Sequence, residues 1–96
     1  MNPVWSIRLG EETRPAVVVA DHGTELIQVC AVTTSRDHPF EVPCTVSGRA
    51  MVVRPDVLHS IARERVGEGL GFIANAELAK VKAMLLNILG LIEPEA

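Results

Sequence analysis

The chain is 96 residues long and 48% apolar, yet it has only three aromatic residues, one Trp and two Phe, and its formal charge is −3. That length accommodates one domain, residues 1–96, with a single core built from Val, Leu, Ile and Ala, and the apolar content excludes a disordered chain. The acidic balance excludes a generally basic nucleic-acid binder, so any positive surface has to be made locally by folding.

The first expected strand is Pro3 to Leu9, with Val4, Ser6 and Arg8 on one side and Trp5, Ile7 and Leu9 on the other. Gly10 to Thr13 make a short acidic turn. A second strand follows from Arg14 and Pro15 to Ala20. Ala16, Val18 and Ala20 alternate with Val17 and Val19, all apolar, which implies burial on both faces. Asp21, His22 and Gly23 form a tight turn into a third strand, TELIQVCAVTT, which places Ile27, Val29, Ala31 and Thr33 on one face and Gln28, Cys30, Val32 and Thr34 on the other. On that alternation Thr33 and Thr34 point to opposite sides.

Ser35 to Pro39 read as a polar loop. Residues 39–46 are a fourth strand whose Pro43 marks an edge or a bulge, and Gly48 turns the chain into a fifth strand, RAMVVRP, ended by Pro55. Gly67, Gly69 and Gly71 loosen the chain before a short last strand, Gly71 to Ile73. Asn75 is placed to cap a closing helix with Glu77 near its positive end. Along that helix Leu78, Val81, Leu85, Ile88, Leu89 and Ile92 form one apolar stripe, and Met84 and Leu86 widen it beyond the needs of one barrel face, which points to a partner; Gly90 and Pro94 stop the helix. Five or six short strands and one C-terminal helix give a mainly β fold, a small, SH3-like, partly closed antiparallel barrel.

Because hairpin strands are antiparallel, Arg14 at the head of the second strand should lie beside Thr33, Thr34 and Ser35 at the tail of the third. A guanidinium and a hydroxyl cluster on one rim suit a phosphate. By default, arginine and threonine at strand ends are solvated edge residues. Cys30 and Cys44 lack the spacing of a zinc or redox motif and read as free, buried thiols. His22, His38 and His59 have no metal-ligand spacing, so neither a metal nor a cofactor is expected. No apolar run reaches the ~20 residues of a membrane span, and no leader is visible, so a cytoplasmic location is expected.

Arg14-Pro15 with its aliphatic run, the third strand closing in Val32-Thr33, the Pro43-x-x-Val46 segment and Asp56 to Val66 ahead of a short helix together resemble the MazF/PemK family of toxin endoribonucleases, over most of the chain. The resemblance implies a type II toxin that cuts single-stranded RNA without a metal: the 2′-hydroxyl attacks the adjacent phosphorus, leaving a 2′,3′-cyclic phosphate and a 5′-hydroxyl. It implies Arg14 and Thr33 as catalytic residues, and a homodimer silenced by a cognate antitoxin. Thr13, Thr34, Ser35, Arg36, His38 and His59 are the further residues expected to contact RNA, with His38 and His59 able to move protons near neutrality. The chain departs from the family pattern in the trimmed loop 10–13 and at Val57, His59, Ser60 and Ala62, where glutamine, arginine, threonine and aspartate are usual. Two alternatives therefore stand beside the nuclease: a gyrase-binding toxin of the CcdB type, and a degenerate member that only binds a partner.

Overall fold

The computed structural model describes residues 1–90. Six strands, β1 (Asn2–Leu9), β2 (Glu12–Asp21), β3 (Leu26–Thr33), β4 (Val42–Val46), β5 (Arg49–Ala62) and β6 (Val66–Ile73), form one curled antiparallel sheet in the order β4-β5-β3-β2-β1-β6. A 3₁₀ turn, Arg63–Arg65, joins β5 to β6, and helix α1 (Asn75–Ile88) follows. The mainly β, partly closed barrel with a C-terminal helix is the expected architecture. Ser47, in the two-residue turn between β4 and β5, donates its hydroxyl to the Leu70 carbonyl of β6 at 2.9 Å, linking the two edges of the sheet. Ser47 and Gly48 both have positive φ, 49° and 78°, the geometry that lets a two-residue hairpin follow the strand twist.

Burial on both faces follows from the unbroken apolar runs of β2 and β3. One core cluster, including Val4, Val17, Cys30, Val32, Val53 and Ile73, is covered by α1 through the fully buried Val81, with Leu78, Met84 and Leu85 packed beside it. On the opposite face Ile7, Ala16, Ile27, Val29 and Ile61 form a second cluster flanked by Trp5, Leu9, Val18 and Val66. Met84 thus belongs to the helix's core-facing side; Leu86 and Leu89 are exposed. Ile92 and Pro94 lie outside the described residues.

Besides β2, which starts at Glu12 rather than Arg14, and β4, which starts at Val42 rather than Pro39, three elements differ from expectation. β5 does not stop at Pro55: Ala31 pairs with Arg54 but Cys30 pairs with Leu58, so residues 55–57 bulge out of the ladder and the strand runs on to Ala62. A proline is tolerated there because a bulged residue owes no N–H to the neighbouring strand. β6 is eight residues long, and its glycines serve close approach to other strands. A Cβ on Gly67 would lie 3.1 Å from the Ser6 carbonyl oxygen, and one on Gly71 2.9 Å from Val46 Cγ1. At the start of α1 the N-cap position is Ala74, whose N–H donates to Glu77 Oε1 at 2.8 Å, while the Asn75 amide oxygen accepts from Asn2 Nδ2 at 2.9 Å and ties the helix to β1.

Candidate active site

Arg14 and Thr33 belong to the face of the sheet that α1 leaves uncovered. The β2–β3 register runs Val17 with Cys30 and Ala16 with Ala31; continued past Pro15, it sets Arg14 opposite Thr33. Residues opposed in this way hold their side chains on one face with Cβ atoms about 5 Å apart. Both line a cleft of about 450 Å³ whose floor includes Ala31 and Val32 and whose far wall is Arg54, Val57 and His59 of β5. The bulge at 55–57 carries that wall.

Of the residues expected to contact RNA, Thr34 and His59 also line this cleft. Thr34 reaches it from the first position beyond the end of β3. Thr13 does not line the cleft. It pairs with Arg8 inside β2, and alternation turns it away from Arg14. Ser35, Arg36 and His38 form a separate tethered loop. The Ser35 hydroxyl donates to Glu41 Oε1 and the Arg36 N–H to Glu41 Oε2, both at 2.6 Å, and His38 Nδ1 accepts the Phe40 N–H at 3.2 Å. The Ser35 and Arg36 hydrogen bonds hold the Glu41 carboxyl below the usual carboxylate range.

Arg14 donates to Glu12 Oε2 at 2.6 Å, a contact between side chains that are 63% and 69% exposed. An ion pair that wet contributes little, so an incoming phosphate can take the guanidinium from Glu12 at small cost. The sequence reading missed Arg54 as a lining residue. Its side chain is only 17% exposed and is gripped in parallel by Asp56, Nε to Oδ1 at 2.8 Å and Nη2 to Oδ2 at 2.6 Å. Those hydrogen bonds push the Asp56 carboxyl down and the Arg54 guanidinium up, so both stay charged. The signal for Arg54 was parity: counted back from Pro55 along β5, it shares a face with Val52, the partner of Thr33.

A larger depression of about 670 Å³ lies between Gly23 and Glu25 of the β2–β3 turn and Ala62 to Glu64. Its cation, Arg63, is spent on Asp21 and the Thr24 carbonyl, leaving little for a ligand.

The family model of PemK-like, MazF-like toxins of type II toxin–antitoxin systems matches residues 3–89. The chain belongs to this family. Among solved structures, it is 32% identical to a chain of the MazE-MazF complex from Deinococcus radiodurans, with 93% of this chain and 91% of that chain covered and a TM-score of 0.77. The fold is shared with an endoribonuclease in complex with its cognate antitoxin from a mycobacterial species, 24% identical, TM-score 0.82, covering 96% and 95% of the two chains. It is shared too with the Mycobacterium tuberculosis toxin MazF-mt6, 19% identical, TM-score 0.78, covering 95% and 99%. Comparison with curated proteins finds no match.

In this MazF/PemK-family chain the four positions singled out in the sequence, Val57, His59, Ser60 and Ala62, all fall on β5. Val57 and His59 line the cleft, Ser60 accepts the Gln28 side-chain amide at 2.9 Å across the β3–β5 ladder, and Ala62 borders the second depression. The trimmed loop is a turn of two residues, Gly10 and Glu11, because Leu9 already pairs with Glu12. Among the described residues no helix is long and apolar enough to cross a membrane.

Proposed function

We propose that this toxin cleaves single-stranded RNA by attack of a 2′-hydroxyl on the adjacent phosphodiester, without a metal. The observation that carries the proposal is the placement of Arg14 and Thr33 on one face, lining one cleft. The substrate brings its own nucleophile, so the protein has to align it, move protons and stabilise charge on the phosphoryl oxygens. Arg14 supplies the charge, and the Thr33 hydroxyl fixes the orientation of the phosphate. An arginine stays protonated, which leaves His59, in the same cleft, to accept the 2′-hydroxyl proton. The new 2′-O–P bond displaces the 5′-oxygen, which takes a proton from water while His59 returns its own to solvent, giving a 2′,3′-cyclic phosphate and a 5′-hydroxyl. With few aromatic rings, base contacts rest on hydrogen bonds and guanidinium planes.

The active form is a homodimer in the cytoplasm, held silent by an antitoxin whose flexible tail folds along the cleft. The MazF and endoribonuclease structures solved with MazE or with a cognate antitoxin support the partner. The test is direct: purified protein incubated with single-stranded RNA in EDTA yields 5′-hydroxyl fragments, and Arg14→Ala yields none. Intact RNA with the wild-type protein would overturn the proposal.

A further inference from the structure

Two guanidiniums line the cleft, and they are held differently. Arg14, on β2, has one exposed contact to Glu12 and is free to move to a ligand. Arg54, on the opposite wall, is fixed. Asp56 takes Nε–H and one Nη2–H, which locks the plane of the guanidinium and leaves the fork made by Nη1 and the outer Nη2–H without a hydrogen-bond partner among the described residues, the Glu41 carboxylate being the other negative charge that acts on it. The bulge holds Asp56 in that role, since residues 55–57 are released from the β3 ladder.

Arg54 pairs with Ala31, two residues along β3 from Thr33, and β2 and β5 flank β3 on either side. With strands about 4.8 Å apart, the two arginine-bearing walls stand about 10 Å apart. A phosphate held by Arg14 and Thr33 is therefore at a different level of the cleft from the Arg54 fork. Resting on the nuclease reading above, we infer that Arg54, oriented by Asp56, binds the RNA phosphate neighbouring the one that is cut, and so sets the register of the strand in the cleft.

The chemistry assigns it a binding share. The neighbouring phosphate gains no charge in the transition state, so its contact lowers the energies of bound substrate and transition state together. Removing it raises KM and leaves kcat nearly unchanged, whereas removing Arg14 lowers kcat. One phosphate contact fewer also lowers the slope of log Kd against log salt by about 0.7 for a single strand.

The experiment uses an RNA selected for cleavage from a randomised single-stranded pool, and the same RNA with a 2′-deoxy sugar at the scissile position so that binding is read without cleavage. Arg54→Ala is expected to weaken binding of the deoxy probe about tenfold, to flatten its salt dependence by that one contact, and to raise KM with kcat kept. Arg54→Lys, which keeps the charge but cannot reproduce the parallel pair with Asp56, is expected to retain the salt slope. If wild type binds and cuts RNA and Arg54→Ala keeps the wild-type slope and KM, the inference falls and the nuclease reading stands. If Arg54→Lys flattens the slope and lowers the unfolding midpoint as much as Arg54→Ala, the ion pair only braces the bulge, and the inference falls. If no RNA in the pool is cut by the wild type, the nuclease reading fails and takes the inference with it.

Discussion

Arg63 holds the carboxylate of Asp21 across the turn of the β2–β3 hairpin, with Nη1 donating to Oδ2 at 2.8 Å and Nη2 to Oδ1, while Nη2 also reaches the Thr24 carbonyl at 2.9 Å. The Arg63 N–H adds a bond to the Glu25 carbonyl at 2.8 Å, so the end of β5 is fastened to the hairpin by backbone and side chain together.

The Arg63 hydrogen bonds, then the Gly23 N–H, hold the Asp21 carboxyl far below the ordinary carboxylate range. A depressed carboxyl contributes stability above its ordinary pKa and loses it as pH falls through the folded-state value. Asp21→Asn should therefore lower the denaturant midpoint slightly at neutral pH, because the pair is exposed and screened. The gap to wild type should close as the medium is acidified below the ordinary carboxylate range. Urea titrations across pH check this; a gap that stays constant would refute it.

Thr33→Val keeps the β-branched shape that suits a strand and removes only the hydroxyl. RNA cleavage should fall about a hundredfold, while the unfolding midpoint stays near that of wild type. Thr33→Ser should retain most of the activity. Single-turnover cleavage and thermal melts of the two variants provide the check.

Gly71 sits at φ +148°, and a Cβ there would meet Ser47 Oγ at 2.5 Å, Val46 Cγ1 at 2.9 Å and the Ser47 backbone nitrogen at 3.3 Å. A serine hydroxyl can rotate away; the valine methyl and the backbone cannot. Gly71→Ala should cost about 1–3 kcal/mol, read from denaturant unfolding. It should also loosen the Ser47 to Leu70 link between the sheet edges.

Burial pushes the Cys30 and Cys44 thiols up to about 11, with the charges of Asp56 and Glu77 respectively adding to it. Both should resist alkylation at neutral pH until the protein unfolds, since the thiolate is the reactive form. The folded state also holds these protons more tightly than the unfolded state. Stability should thus decline as pH rises from 9.0 towards 11, the window in which only the unfolded thiols ionise.

The hairpin of β2 and β3 was legible because β-branched runs buried on both faces leave few other solutions, and antiparallel pairing then brings Arg14 and Thr33 together whatever the rest of the chain does. Strict alternation sets Thr34 on the side away from Arg14, yet it lines the same cleft from the first position beyond the strand end. β5 was cut short at Pro55 because a proline forbids a regular ladder position, and nothing local to Pro55-Asp56-Val57 announces that three residues leave the ladder while the strand continues. β6 was hidden by its glycines, which resemble loop residues until the neighbours they must clear, Ser6, Trp5 and Val46, are known. Arg54 was missed for the same reason: its face is fixed by a long-range register.

The three-residue bulge divides β5 into two segments that are set independently. Arg49 to Arg54 take their phase from β4 and the tail of β3, and Leu58 to Ala62 from the head of β3. Deleting a residue between Leu58 and Ser60 would shift the later side chains by one place, carry Ile61 off the core it fills and draw Arg63 away from Asp21, whereas the bulge itself can shorten with both registers kept. The cleft wall can therefore vary in two ways: in side chain and in length at Val57, which owes no register to β3, and in side chain alone at His59, which pairs with Val29.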